Sequence, residues 1–507
     1  MLAAAVLAAA YLIWAPPTAD LAAQTFRADL FSQHGYLLWN NFWYAGHYLP
    51  GYSVLYPPLG ALVGPRLLGA IAAVAAAGLF GAIARRRYGD RARLATQWFG
   101  AATITNLLTG RITFALGVAV GLGALFALQR RRAVAAPTLG ALTALASPVA
   151  ALFVAIAAVA VARGEWRRQA LMLGAASLAA AGVLSAAFPT AGYFPFAPTA
   201  FLPVPLFAVA AYLVAPAGEG WLRRAIVVYL LVVVAFAVVH TPVGANAARL
   251  GALCGGPVLA LVLLGRRPRL LAVLAIPLLY WQWVAPYRDV SDAWGDPSVH
   301  ASYYAPLVAE LDRVTSGPVR IEVPPTRDRW ESDLLAPSYP LARGWLRQLE
   351  SDDFNLFTGG HLTPAAYREW LGRHAVSYVA LPHVGFDYLA KDEVALIGTG
   401  LPYLRPVWAS ADWTLYRVAG ATPLVSPAGA KLTRIGPADF TLDATRPGNY
   451  TVRIHYTPFW TVAAGDACVT KTGDWTRVEA RASGATAITA RFSVDGLIHG
   501  ERTECSG

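Results

Sequence analysis

The sequence is poor in charged residues. They make up 14% of its 507 residues, whereas about a quarter is usual in soluble globular proteins. Hydrophobic residues reach 56%, and the mean hydropathy is +0.45. This composition excludes an ordinary soluble protein and indicates a membrane protein.

Lysine is almost absent. Lys391, Lys431 and Lys471 are its only positions, so the net charge of +11 comes from arginine. In the first 285 residues the arginines form short clusters between apolar stretches. Such clusters mark cytoplasmic loops, whereas nucleic-acid-binding proteins spread basic residues along one soluble face. We therefore expect no nucleic-acid partner, and the Ala, Gly, Arg and Pro bias indicates a GC-rich bacterial genome.

The arginine clusters predict a topology. Loops rich in arginine stay inside, so two successive clusters must enclose an even number of spans of about 20 residues each. The rule predicts eleven spans, near 2–15, 66–84, 94–109, 112–129, 133–147, 148–162, 169–187, 201–215, 225–239, 249–264 and 270–285. The N-terminus would be cytoplasmic and the C-terminus outside, in a bacterial plasma membrane. The first segment could pass for a signal-peptide core, but we interpret it as a span whose start could be truncated.

Composition divides the chain into three predicted domains. Residues 1–285 are Ala-, Leu- and Val-rich, which is typical of a polytopic α-helical membrane domain, while 286–507 hold most of the Asp, Glu and Tyr. Residues 296–420 mix helical and strand periodicity and predict an extracytoplasmic α/β domain. Residues 421–507 alternate as short strands and predict an extracytoplasmic β-sandwich.

Cysteine and aromatic residues give two further expectations. Cys254 falls within a predicted span, whereas Cys468 and Cys505 fall in the predicted outer domain, where disulfides persist. We expect those two to pair, the other interpretation being two buried thiols. In the sandwich, Tyr456, Phe459 and Trp460 could stack on sugar rings or fill the core.

The first outer loop, residues 16–58, is long and rich in polar and aromatic side chains. In chain order these are Asp20, Asp29, His34, Trp39, Trp43, Tyr44, His47 and Tyr56. Trp39, Trp43 and Tyr44 suit a belt in the lipid headgroup layer. The Tyr-Pro-Pro sequence at 56–58 marks the point where the chain re-enters the bilayer.

This loop resembles the first loop of membrane glycosyltransferases of the GT-C superfamily. The resemblance rests on an Asp at the end of the first span, a helical stretch with Gln and Arg, then Trp43-Tyr44, and finally Tyr56-Pro57-Pro58-Leu59. Polyprenyl-phosphate-sugar-dependent glucosyltransferases and the oligosaccharyltransferase catalytic subunit share this plan. The segment 341–357 also resembles the outer domain of uncharacterised actinobacterial membrane proteins. The match covers the loop in residue detail and the rest of the chain only in outline.

The resemblance implies a catalytic role for Asp20, the general base of inverting enzymes. A carboxylate at the interface is suited to removing the acceptor hydroxyl proton while the anomeric bond breaks. Asp29 is the alternative base or ligand, although nine residues of helix place it half a turn away from Asp20. Asp20 could instead cap a helix starting at Leu21.

The phosphate leaving group of such a donor requires a cation beside it. Arg249 is the best candidate, while Arg27 and Arg111 are weaker ones, and all three could instead extend towards lipid headgroups. The expected substrate pocket comprises His34, Trp43, Tyr44, His47, Tyr56, His240 and Asn246.

A metal is not expected. Metal-dependent members of the superfamily carry a further acidic motif in the second outer loop, and here that loop is only Thr109-Gly110-Arg111. We therefore prefer a site without a metal or cofactor, although a divalent cation stays open as an alternative.

The predicted function is an inverting membrane glycosyltransferase. It would move a sugar from a polyprenyl-phosphate donor to a cell-envelope glycan or lipid acceptor outside the membrane. One alternative is a transporter or flippase for an envelope precursor, which would require polar groups in mid-bilayer and often inverted repeats. The other is a non-catalytic membrane scaffold with an outer recognition domain.

Overall fold

The structure, a computed structural model, describes residues 2–189, 192–194, 196–350, 355–358, 360–500 and 505. The chain divides into two compact units. The first comprises Met1–Gln33 and Gly51–Trp294, and the second comprises His34–Pro50 and Gly295–Gly507. The long first loop is therefore shared between the two units.

The described part of the first unit is helical. Its α-helices are α1 (Leu2–Trp14), α2 (Ala19–His34, whose last residue falls in the second unit), α3 (Tyr56–Val63), α4 (Pro65–Tyr88), α5 (Arg93–Leu108), α6 (Ile112–Gln129), α7 (Ala135–Ala146), α8 (Pro148–Val161), α9 (Arg167–Ala187), α10 (Pro198–Phe201), α11 (Pro203–Val214), α12 (Gly220–Val238), α13 (Arg249–Leu263) and α14 (Pro268–Ala293). Short 3-10 turns at Gly89–Ala92, Gly164–Trp166 and Gly244–Ala248 precede α5, α9 and α13.

The helix positions agree with the sequence analysis, but the number of crossings does not follow from them. Each of the eleven predicted segments lies in helix, with ends mostly within about three residues of those predicted. Among the described residues, six helical stretches are long and apolar enough to cross a membrane. They are Pro65–Leu108, Ile112–Gln129, Gly164–Ala187, Gly220–Val238, Gly244–Leu263 and Pro268–Ala293. The chain is therefore a membrane protein, and the figure of eleven spans stays a prediction.

Small residues allow these helices to pack closely. A Cβ atom at Gly117 in α6 would lie 2.7 Å from the Cβ atoms of Ser147 and Ala150, at the start of α8. A Cβ atom at Gly256 in α13 would lie 2.3 Å from the indole of Trp98 in α5. In membranes, close backbone approach at small residues replaces much of the hydrophobic driving force for helix association.

The second unit combines helices with three four-stranded sheets. Its strands are β1 (Trp39–Asn40), β2 (His47–Tyr48), β3 (Arg320–Glu322), β4 (Val376–Pro382), β5 (Leu404–Ala409), β6 (Trp413–Val418), β7 (Val425–Ser426), β8 (Ala430–Ile435), β9 (Asp439–Ala444), β10 (Gly448–His455), β11 (Trp460–Ala464), β12 (Ala467–Thr472), β13 (Trp475–Ala480) and β14 (Gly484–Ala490). Its α-helices are α15 (Ala301–Val314), α16 (Glu331–Leu334), α17 (Pro364–Arg373), α18 (Lys391–Gly398) and α19 (Val494–His499). Short 3-10 turns lie at Pro297–Val299, Arg347–Glu350 and Tyr388–Ala390.

Apart from β1 and β2, the strands before residue 420 and those after it form separate four-stranded sheets. The sheet with strand order β3-β4-β6-β5 is mixed, because β3 and β4 are parallel and the other neighbours are antiparallel. The two antiparallel sheets, β12-β13-β10-β7 and β11-β14-β9-β8, share one core that contains Phe440, Val452 and Val478. Two antiparallel sheets around a common core form a β-sandwich.

Two expectations about this unit have clear outcomes. Cys468 and Cys505, which we expected to pair, form a disulfide with Cα atoms 6.0 Å apart. Phe459 and Trp460 are buried, so neither presents an exposed face on which a sugar could stack. Trp460 belongs to the core of the sandwich, and the ring of Phe459 packs against those of Tyr48 and Phe492.

The segment His34–Pro50 folds into the second unit. Its two short strands, β1 and β2, pair with each other. The amide of Leu341 donates to the carbonyl oxygen of Phe42 at 2.8 Å, and the amide of His455 donates to that of Ala45 at 2.8 Å. The segment is therefore tied both to the α/β part and to the sandwich.

The aromatic belt predicted for this segment is wrong. Trp39, Trp43 and Tyr44 are all buried, and Trp43 has no exposed surface. The indole NH of Trp43 donates to the carbonyl oxygen of Ser332 at 2.9 Å, and the hydroxyl of Tyr44 donates to Glu350 at 3.2 Å. These aromatic side chains are buried against protein rather than lipid, because their NH and OH groups find hydrogen-bond acceptors within the protein.

Candidate functional site

Asp20 lies in the first turn of α2 and forms an ion pair with Arg111. The Nε atom of Arg111 donates to Oδ2 of Asp20 at 3.1 Å. The Asp20 and Arg111 side chains keep only 17% and 26% of their surface exposed. Since α2 begins at Ala19, Asp20 lies inside the first turn rather than at the cap expected for a helix starting at Leu21.

A tight turn brings Arg111 to this position. Helix α5 ends at Leu108, and Gly110 has a φ angle of +73°. A Cβ atom at Gly110 would lie 2.3 Å from the backbone nitrogen of Leu21. The turn therefore packs directly on the start of α2, which requires a residue without a side chain in a left-handed conformation.

Arg249, the first residue of α13, brings a second guanidinium group to the site. It is half-buried, and its Cζ atom lies 5.5 Å from the centroid of the Phe114 ring. It interacts electrostatically with Arg111 and with Asp20. Arg111 pairs with Asp20, and Arg249 is a second guanidinium group within electrostatic range of that carboxylate. Guanidinium groups bind phosphate oxygens well.

One face of α2 carries three polar side chains of the site. Gln24 and Arg27 follow Asp20 at intervals of four and seven residues, which is one face of a helix. The Arg27 guanidinium lies 3.9 Å from the centroid of the Tyr52 ring, and the amide of Gln24 donates to the Tyr52 hydroxyl at 3.3 Å. The hydroxyl of Tyr56 donates to the backbone carbonyl oxygen of Gln24 at 2.9 Å.

An apolar groove adjoins these residues in the sequence. It has a volume of about 580 Å³ and is lined by Trp14, Leu108, Trp283, Pro286, Tyr287, Val290, Ser291 and Trp294. Leu108 lies three residues before Arg111, so the groove wall and the ion pair belong to the same α5–α6 connection. An aromatic-lined, apolar groove of this kind suits an aliphatic chain.

Asp29 and His240 lie elsewhere on the first unit. Asp29 is exposed, on the side of α2 away from Asp20. His240 is exposed, and its ring stacks on that of Tyr193 with centroids 4.3 Å apart. Asn246 lies in the 3-10 turn before α13 and is half-buried. The structure therefore groups Asp20 with Arg27, Arg111 and Arg249. Tyr56 interacts electrostatically with Arg27 and also with Asp29.

The remaining pocket candidates belong to the second unit. His34 is exposed, and the rings of Trp43 and His47 stack with centroids 5.5 Å apart. Trp43 and Tyr44, which are hydrogen-bonded to Ser332 and Glu350, are buried in the interior of the second unit, and so is His47. These residues are close to Asp20 in the sequence, but they belong to the second unit, whereas Asp20 belongs to the first.

Three side chains near the site were missed by the sequence analysis. Gln24 could have been found from its spacing of four residues from Asp20. Tyr52 has no local signal, because only the return of the loop places it against α2. Asp289, which interacts electrostatically with Arg249, was missed because the last span was expected to end at 285, whereas α14 continues to Ala293.

Within the described ranges, no group of three or more His, Cys, Asp or Glu side chains could hold a metal ion. The site instead gathers guanidinium groups around carboxylates. Guanidinium groups in this arrangement can neutralise a phosphate without a metal.

Comparison of the chain with protein-family models, with curated proteins and with solved structures found no match. The fold and the site define a class of protein, a helical membrane protein with a β-rich C-terminal region. Its function is argued below from the chemistry of the site.

Proposed function

We propose that this protein is an inverting glycosyltransferase that uses a polyprenyl-phosphate sugar as its donor. The observation that carries the proposal is the Asp20–Arg111 ion pair with Arg249 beside it. A carboxylate that can accept a proton and cations that can neutralise a phosphate are the two groups that this transfer requires.

In this mechanism the donor phosphate binds between Arg111 and Arg249. Their charge stabilises the phosphate as it leaves the anomeric carbon, which lowers the barrier to breaking that bond. Asp20 accepts the proton of the acceptor hydroxyl as its oxygen attacks the anomeric carbon from the opposite face. The sugar then carries inverted configuration, and the lipid phosphate departs with the electron pair of the broken bond.

The apolar groove supports a lipid-linked donor. Leu108 and Trp14 line it near the ends of α5 and α1, close in sequence to Arg111 and Asp20. A prenyl chain in the groove would gain roughly 25 cal/mol for each Å² of apolar surface removed from contact with water. We place the site on the outer face of a bacterial plasma membrane, in a chain of eleven spans with its N-terminus inside. The acceptor is then a cell-envelope glycan or lipid.

The test is sugar transfer by the purified full chain in proteoliposomes, supplied with a panel of radiolabelled polyprenyl-phosphate sugars and a cell-envelope glycan fraction. Asp20→Asn is expected to lower the rate at least about a hundredfold, which is typical for loss of a general base. Arg111→Gln is expected to raise the KM for the donor as well as lower the rate.

Asp29→Asn gives the matched comparison, because it removes a carboxylate from the same helix. Of these two aspartate variants, we expect Asp20→Asn to lose sugar transfer and Asp29→Asn to keep it. Full transfer by Asp20→Asn would remove this carboxylate from the mechanism. Equal loss in both variants would indicate a general effect of charge on the helix rather than a base at position 20.

A further inference from the structure

Arg249 has two carboxylates within electrostatic range, Asp20 and Asp289. Asp20 forms an ion pair with Arg111, with the two atoms 3.1 Å apart. Asp289 is thus the carboxylate near Arg249 to which the proposed mechanism gives no task. It lies in the last two turns of α14 and is half-buried.

Helix packing places Asp289 on the side of α14 that faces α13. The two helices are antiparallel neighbours joined by a short turn around Arg266. The side-chain amide of Gln282 donates to the carbonyl oxygen of Ala252 at 2.9 Å, which fixes the register. Asp289 follows Gln282 by seven residues, so it shares that face and lies about 10 Å further along the axis. Arg249 lies three residues before Ala252 in α13, which is about 4.5 Å in the same direction along the axis. The long side chain of Arg249 can therefore reach Asp289.

The same turn of α14 forms the wall of the apolar groove. Val290 and Ser291, the two residues after Asp289, line it. A lipid whose tail occupies the groove would therefore carry its headgroup past Asp289 on the way to Arg249. A phosphate there would be attracted by the guanidinium group of Arg249, besides that of Arg111, and repelled by the carboxylate of Asp289.

We propose that Asp289 is an internal competitor for Arg249, which a phosphate-headed lipid must displace in order to bind. In the empty site the carboxylate offsets the charge of Arg249. A lipid phosphate monoester, the leaving group of the proposed transfer, carries a charge of about −1.5 to −2 near pH 7 and presents three acceptor oxygens, so it can replace Asp289. A singly charged headgroup, including the phosphodiester of the donor, gains less from the exchange. Asp289 thereby acts as a specificity-determining residue. This inference rests on the donor site proposed above, although not on catalysis.

The inference predicts that a substitution at Asp289 strengthens lipid binding, which is an unusual result for a residue of a binding site. Removing a residue that binds or positions a ligand weakens binding, but removing a competitor strengthens it. Asp289→Asn is therefore expected to lower the Kd for a lipid phosphate by about threefold to tenfold. This is the size expected from removing one unit charge that repels the phosphate near a protein surface. Arg249→Gln is expected to raise the Kd at least about tenfold.

The experiment measures binding of radiolabelled farnesyl phosphate to the full chain in phosphatidylcholine nanodiscs. Inorganic phosphate is titrated in a parallel arm. Asp292→Asn is the matched control, because it removes the same charge from an exposed position about one turn further along the same helix. Asp289→Glu should keep the wild-type Kd, and thermal unfolding of each variant checks its fold.

An unchanged or higher Kd in Asp289→Asn would overturn the inference, and so would an equal gain in Asp292→Asn. Absence of farnesyl phosphate binding to the wild type would overturn it together with the proposed donor. The same pattern with inorganic phosphate alone would support the competition but assign it to a free phosphate. Binding as expected without any sugar transfer would leave the inference standing and remove only the catalytic proposal.

Discussion

Glu331 illustrates how burial sets the charge of a single residue. Its carboxyl group lies inside the second unit, and burial raises its pKa to about 7, although the Thr326 hydroxyl donates to it at 2.5 Å. Asp387 is buried as well, but Arg329 and Arg347 hold its pKa below its ordinary value against the effect of burial. The pKa values of two buried carboxyl groups of one unit are thus shifted in opposite directions, because Asp387 forms ion pairs with two guanidinium groups, whereas burial outweighs the attraction of Arg329 for Glu331.

The raised pKa of Glu331 links stability to pH. Between its ordinary pKa of 4.5 and its folded pKa of about 7, the folded chain holds this proton and the unfolded chain does not. The contribution is therefore complete below pH 4.5 and is lost as pH rises through 7. Its full size is about 3 kcal/mol.

Glu331→Gln should remove this dependence. We expect the variant to unfold at a higher temperature than wild type at pH 8 and to match it near pH 5, because the amide stays neutral throughout. Thermal unfolding of the full chain in detergent, followed by tryptophan fluorescence from pH 5 to 8, measures the difference. Glu369→Gln, at an exposed position of the same unit, is the control. Parallel pH curves for wild type and Glu331→Gln would refute the link.

At the scale of elements, the turn between α5 and α6 is decisive for the site. Gly110 packs on the start of α2, and the next residue, Arg111, pairs with Asp20. The sequence marks this turn only as short and glycine-containing. Its contact with α2 follows from the packing of three helix ends, which are distant in the sequence.

Gly110→Ala tests this contact. The new Cβ atom would lie 2.3 Å from the Leu21 backbone nitrogen at a φ of +73°. We expect destabilisation of about 2 kcal/mol or more, together with weaker farnesyl phosphate binding as Arg111 moves away from its place. Thermal unfolding and the binding assay measure the two effects.

Gly182→Ala in α9 is the matched control, because a Cβ atom there meets nothing within 4 Å. In a helix interior this change is neutral or slightly stabilising. If both variants unfolded at the same temperature, the turn would not depend on Gly110.

At the scale of the whole molecule, the number of crossings remains the open prediction. Several helices are shorter than a bilayer requires, among them Ala135–Ala146, Pro148–Val161 and Pro198–Val214. Eleven spans require all three to cross. Whether Pro198–Val214 crosses decides on which sides its flanking loops lie, so it can be tested directly.

Added cysteines at Pro189 and Gly218 should react differently with a membrane-impermeant maleimide. With eleven spans, position 189 is outside and reacts in intact cells, while position 218 reacts only after permeabilisation. Both positions are exposed. The unmodified chain gives the background, since Cys254 lies in a helix and Cys468 pairs with Cys505. Labelling of both positions from the same side would exclude a crossing by Pro198–Val214.

The sequence alone determined the local structure of this protein. Apolar runs interrupted by arginine clusters predicted the helices, and alternating residues after 420 predicted the strands, because both depend on short-range periodicity. It also placed Asp20, Arg111 and Arg249 among the candidates, since charged residues are rare in the first unit and therefore conspicuous.

Only the tertiary structure decided which of these residues meet. It paired Asp20 with Arg111 and gave Arg249 a second carboxylate in Asp289. It also folded Trp43 and Tyr44 into the second unit, although they lie in the same loop as Asp20. Contacts between residues far apart in the chain depend on how helix ends and turns pack, and short-range periodicity holds no information about that packing.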